Sequence, residues 1–217
     1  MAIITTIILT NCSNPHNNER PEWGEIPPPI WSGELFESEA DGYGYTRTTF
    51  RTNDPQHWNQ EGSTIWTVWG DTEAVFESRT VRMAKTSGEP VGGFGIVFCQ
   101  GEHEINGRLL PAMLVVMINN VGEYIVGKAI GGVFTDFNWW QSTAHLNRGS
   151  GSSNEITVTF DEDNGQFILI INGHEIERFR DDNEPRLRSG RNGYITVITP
   201  FDNFPVTGIN ILFWEKK

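Results

Sequence analysis

The chain has 217 residues, 37% hydrophobic and 20% charged, with 23 glycines and eight tryptophans. That length suits one large β-sandwich, and a chain of this size buries roughly 70% of its unfolded surface without a disulfide or metal. Acidic residues outnumber basic ones 28 to 16, a net charge of −12, which excludes nucleic acid because phosphate binding needs a surplus of Lys and Arg.

Residues 1–9 are apolar, and the first charged residue is Glu19. The run is too short to span a bilayer, which takes about 20 apolar residues. It leads into Leu9-Thr10-Asn11-Cys12 and then the polar stretch Ser13–Asn18. That order resembles a bacterial lipoprotein signal, although Asn11 stands where a smaller residue is usual and no basic residue comes first. The resemblance implies lipidation at Cys12, an extracytoplasmic location at the cell surface or in the periplasm, and membrane contact only through the lipid. An ordinary β-strand opening a soluble domain is the alternative. Residues 13–30 end in Ile26-Pro27-Pro28-Pro29 and read as an extended, Pro-rich tether. The folded domain is then expected over 31–217.

From Trp31 onward no amphipathic helical stretch of useful length appears. Short β-rich runs separated by Gly, Asn and Asp predict strands at 62–70, 75–84, 92–99, 112–119, 122–130, 154–161, 165–172, 173–179, 193–199 and 207–214. A weaker one is expected near 43–52. Alternation places Ile156, Val158 and Phe160 on one face. Phe167-Ile-Leu-Ile-Ile171 is apolar on both sides and predicts a central strand covered twice. Asn172-Gly173 suits a two-residue type I′ hairpin, since both positions need positive φ. Cys99 closes an apolar strand and reads as an inert buried thiol.

The order of Gly92-Gly-Phe-Gly-Ile-Val-Phe98, Leu114–Ile118, Gly122–Lys128, Trp140, Asn154–Val158, Phe167–Gly173 and Arg191–Val197 resembles concanavalin A-like, laminin-G-like domains. These occur in bacterial surface proteins and in the 3-keto-disaccharide hydrolase-like family. The resemblance covers roughly residues 62–217. It implies an all-β, concanavalin A-like jelly-roll β-sandwich of two antiparallel sheets. It implies little about activity, because that fold hosts lectins, glucanases and adhesion modules alike.

No catalytic constellation emerges. Glu175 and Glu177 occupy alternate positions, about 7 Å apart on one strand face, a spacing that carboxylate pairs use in hydrolysis, yet a solvated face explains them. Glu102-His103-Glu104 reads as a mixed-charge surface loop. Asp161-Glu-Asp-Asn-Gly165 has a calcium-like composition without a ligand spacing to match, so calcium is a candidate without support and no cofactor is expected.

Aromatic residues are the better ligand candidates. Neighbours on a strand point to opposite faces, so Trp139 and Trp140 cannot both be core unless the chain bends there, and the resemblance implies that Trp140 is the structural one. The loop expected over 139–153 therefore offers Trp139 as a stacking platform, with His145, Asn147 and Arg148 to bond sugar hydroxyls. The expectation is a non-catalytic module that recognises carbohydrate or glycan. The alternatives are a glycoside-processing enzyme of the 3-keto-disaccharide hydrolase-like type and an adhesion domain with a protein partner.

Overall fold

The computed structural model describes residues 3–7, 35–40 and 44–216; for residues 3–7 it describes the backbone strand alone. Among the described residues the fold is a sandwich of two seven-stranded sheets, and every strand pairing is antiparallel.

Among the described residues, fourteen strands follow in chain order. They are β1 (Ile3–Ile7), β2 (Phe36–Ala40), β3 (Tyr45–Thr52), β4 (Ser63–Trp69) and β5 (Ser78–Ser87). Then come β6 (Phe94–Ile105), β7 (Arg108–Ile118), β8 (Glu123–Ile130), β9 (Val133–Ser142) and β10 (Asn154–Asp161). The last four are β11 (Gln166–Ile171), β12 (His174–Phe179), β13 (Arg191–Ile198) and β14 (Ile209–Lys216). Sheet A runs β1-β4-β13-β6-β7-β8-β9, and sheet B runs β12-β11-β10-β5-β14-β3-β2. Among the described residues, no helix is long and apolar enough to cross a membrane.

The core lies between the sheets. Phe94, Ile96, Phe98, Leu114 and Val116 of sheet A meet Phe50, Val81, Met83, Ile156, Val158 and Phe213 of sheet B. Period-two alternation drives this, since each strand sends every second side chain inward. Sheet A is also apolar on its other face. Trp66, Val68, Val97, Met113, Val115 and Ile195 belong to a second buried cluster made of sheet A residues alone.

Several expectations shift. Residues 133–142 form a strand, β9, so the loop expected from 139 begins at Thr143. Two register shifts against β8 break the alternation there, which hides the strand from a period-two reading. Glu102-His103-Glu104 is no loop: β6 and β7 continue as a hairpin, turning at Asn106 (φ 53) and Gly107 (φ 75). β11 is second from the edge of sheet B rather than central. It buries Phe167, Leu169 and Ile171 but leaves Ile168 and Ile170 half-exposed. Ile3–Ile7 pairs with β4 at the edge of sheet A. Cys12 and the whole tether 13–30 lie outside the described residues.

A buried cation ties the segment after β12 to sheet A. Lys128, 4% exposed, donates from Nζ to Asp181 Oδ1 (2.7 Å), Asn183 O (2.7 Å) and Pro185 O (2.6 Å). Asp181 Oδ2 in turn accepts from the Leu187 backbone N–H at 2.7 Å. This satisfies every charge in the pair and pins the segment after β12 to sheet A.

Candidate functional site

The end of β14 addresses two cavities. Its outward residues Trp214 and Lys216 line a groove of about 660 Å³ on the outer face of sheet B, together with Tyr45, Thr80, Arg82, Ser153 and Glu155. Its inward residue Glu215 lines a cleft of about 440 Å³ at the sandwich end, with Thr48, Trp69 and Tyr194, and Lys216 borders both cavities.

Register builds the groove. Trp214 stands directly opposite Arg82 of β5 on one side and Arg47 of β3 on the other. Arg82 is opposite Glu155, and Arg47 opposite Glu39. The result is a lateral row, Glu39–Arg47–Trp214–Arg82–Glu155, with the half-buried indole at its centre. Arg47 is ion-paired to Glu39. The Arg82–Glu155 contact is looser, 3.6 Å between two well-exposed side chains. The next row holds Lys216 opposite Tyr45, which is 41% exposed. Thr80 Oγ1 lies 2.8 Å from Thr157 Oγ1. An aromatic floor with hydroxyls and charged donors around it suits a ligand that has both an apolar face and polar edges.

The cleft is held differently. Arg79 donates from Nε and Nη2 to Glu215 at 2.8 and 2.9 Å, and Tyr194 Oη donates to Glu215 Oε2 at 3.0 Å. Arg79 Nη1 also reaches sheet A, bonding Val97 O and Gly193 O. Its guanidinium lies 5.0 Å from the Trp69 and Tyr194 ring centroids. Burial pushes the Tyr194 phenol well above its usual range. With both its oxygens committed, Glu215 serves the structure rather than proton transfer.

No known family model matches the sequence, and no curated protein matches it. Solved structures do share its shape. One comes from work on endo-acting O-glycanases of human gut microbiota members that initiate mucin breakdown. It is 11% identical with a TM-score of 0.50, covering 85% of this chain and 83% of its own. A Bacillus licheniformis β-glucanase is 9% identical at a TM-score of 0.49, covering 83% and 82%. A carbohydrate-binding module from Bacillus subtilis is 10% identical at 0.48, covering 80% and 96%. The fold is the concanavalin A-like jelly roll. At these identities the likeness is one of fold.

Within the jelly roll, the residues expected to form a rim each have their own surroundings. Trp139 stands on β9 and is 39% exposed, whereas Trp140 packs beside the second apolar cluster of sheet A. His145 stacks on His174 with ring centroids 4.1 Å apart. Asn147 is occupied within the loop, its N–H bonding Asn154 Oδ1 and its Nδ2 bonding Ser153 O. The Arg148 side chain covers the position where a Cβ on Gly122 would fall. Among the described residues, no hydrogen bond or ring contact joins the Trp139 side chain to the other three.

The two glutamates of β12 part company. A register shift between Leu169 and Ile170 sets Glu177 opposite inward-facing Leu169 and Glu175 opposite Ile170. Glu175 pairs with exposed Arg178, which holds its carboxyl below the usual range. Glu177 turns inward to accept from Asn138 Nδ2 beside the Tyr124 hydroxyl. Burial raises its carboxyl. The bulge thus separates two side chains that ideal alternation would align. Among the described residues, no group of three or more His, Cys, Asp or Glu gathers as metal ligands.

Trp214 is the site residue that sequence reasoning passed over. Its signal was present: in Ile209–Lys216, the inward positions are Ile209, Ile211, Phe213 and Glu215. An outward tryptophan between them, on a chain with no need to bury it there, marks a platform.

Proposed function

We propose that this domain is a non-catalytic carbohydrate-binding module whose site is the groove on sheet B. The observation that carries this is Trp214, half-buried on the outer face of the sheet and bordered by Tyr45, Arg82, Glu155 and Lys216. Sugar rings stack their C–H faces on such indoles while charged and hydroxyl groups bond their edges. The likeness in fold to the O-glycanase structure, concerned with mucin glycans, supports the same ligand class. The absence of catalysis is supported by the carboxylates. Among the described residues each cavity contributes one, Glu155 to the groove and Glu215 to the cleft. Glycoside hydrolysis ordinarily needs two that converge.

A glycan array on the full chain and on Trp214→Ala tests this. Wild type is expected to bind, and the variant to lose about tenfold or more of its affinity. Unchanged binding in Trp214→Ala would remove the groove from consideration. The 39% exposure of Trp139 favours the rim as the second reading, with Trp139, His145, Asn147 and Arg148 as its residues. Loss of binding in Trp139→Ala alone would select it.

We also propose that the domain works outside the cytoplasm, anchored through a lipid on Cys12. Support comes from Leu9-Thr10-Asn11-Cys12 and the polar, Pro-rich sequence behind it. In that reading processing removes β1 and leaves β4 at the sheet edge. Fatty-acid labelling of the native gene product, abolished in Cys12→Ser, is the expected result. Labelling that survives the substitution would refute the anchor.

A further inference from the structure

Resting on the carbohydrate reading above, we infer that the groove selects an acidic glycan whose sugar carries a carboxylate, as a uronic acid does. The protein as a whole is strongly acidic, yet three of its 16 basic residues, Arg47, Arg82 and Lys216, surround one tryptophan. In the groove itself Arg82 and Lys216 face a single carboxylate, Glu155.

Arg47 is held by Glu39, but the two groove cations, Arg82 and Lys216, are only weakly engaged. The Arg82–Glu155 contact is 3.6 Å, with the side chains 62% and 43% exposed, and so exposed a pair holds its partners only weakly. No described residue bonds or pairs with the Lys216 ammonium. A neutral sugar would meet these charges with hydroxyl oxygens alone, which are weaker acceptors than a carboxylate. A carboxylate instead matches the planar fork of the guanidinium with two parallel hydrogen bonds.

Geometry favours a carboxyl carried on the ring. Arg82 and Trp214 are direct cross-strand partners, which sets their Cβ atoms about 5 Å apart. A pyranose stacked on the indole therefore presents a ring-borne carboxylate to Arg82, with Lys216 beside it on the same face. Glu155 repels the same group and sets the limit on affinity.

The test uses the full chain and three polymers in affinity electrophoresis and calorimetry: polygalacturonate, its carboxyl-reduced form and dextran sulfate. Polygalacturonate should bind best, and carboxyl reduction should weaken binding about tenfold. Arg82→Gln and Lys216→Gln should each weaken polygalacturonate binding severalfold and weaken binding of the reduced polymer distinctly less. Glu155→Gln should strengthen polygalacturonate binding, an effect that a merely structural role would not produce. Equal affinity for the reduced polymer, or equal or tighter binding of dextran sulfate, would overturn the inference. If binding then still depended on Trp214, the carbohydrate reading would stand without it. Wild-type affinity for every polymer in Trp214→Ala would bring down both, whereas no binding to any of the three would overturn the inference and leave the carbohydrate reading to the glycan array.

Discussion

Arg79 and Glu215 meet as a two-pronged pair, Nε to Oε1 at 2.8 Å and Nη2 to Oε2 at 2.9 Å, with the guanidinium only 3% exposed. Both stand on sheet B, and the remaining Arg79 nitrogen crosses to two carbonyls of sheet A. A charge so placed is stable only while every partner is present. Arg79→Met should therefore destabilise the domain by about 3–5 kcal/mol in urea unfolding, because it strands Glu215 and two buried carbonyls. Arg79→Met combined with Glu215→Gln should recover part of that loss. A cost below about 1 kcal/mol for the single change would show that the pair does not hold the sheets.

Glu177 makes stability depend on pH. Burial raises its carboxyl above the ordinary 4.5, and burial together with the nearby carboxylate pushes the Tyr124 phenol up to about 12. The folded state thus holds the Glu177 proton more tightly than the unfolded state. Its favourable contribution is complete below the unfolded pKa and is lost as pH rises through the folded pKa. Glu177→Gln, neutral throughout, should melt above wild type at pH 7 and converge with it towards pH 4. A gap independent of pH would refute this account.

At the β11–β12 turn, Asn172 and Gly173 take φ values of 50° and 81°. A Cβ at Gly173 would meet nothing within 4 Å, so substitution there tests backbone strain without steric clash. Gly173→Val should cost about 1–3 kcal/mol. Thermal unfolding identical to wild type would mean that the turn adopts another conformation in solution.

Cys99 is fully buried at the bulge in β6, where its own φ is 52°. Burial pushes its thiol up to about 12, and the thiolate is the reactive form. In a Cys12→Ser background, a thiol reagent at pH 8 should leave the folded protein unlabelled and label it fully in guanidinium. Rapid labelling of the folded protein would mean that β6 opens readily.

Much of this architecture can be read without coordinates. Alternation in Asn154–Asp161 predicts that Ile156 and Val158 face inward, and both are buried. Asn172-Gly173 predicts a turn with two positive φ values, and it has them. Each of these features depends on a few consecutive residues, so covalent geometry and local sterics are enough to determine it.

Other features depend on partners far away in sequence. Trp214, Arg82 and Glu155 become one row only because β14, β5 and β10 pair in a particular register, and no local periodicity encodes a register between strands so distant. The bulge at Leu169/Ile170 turns Glu177 inward and leaves Glu175 outside, though their spacing alone says they share a face. The shifts that hide β9 exist only against β8. The sequence by itself therefore determined the strands, the turns and which alternating faces are apolar. Tertiary structure decided which side chains stand together, because one residue of slip between strands exchanges the two faces.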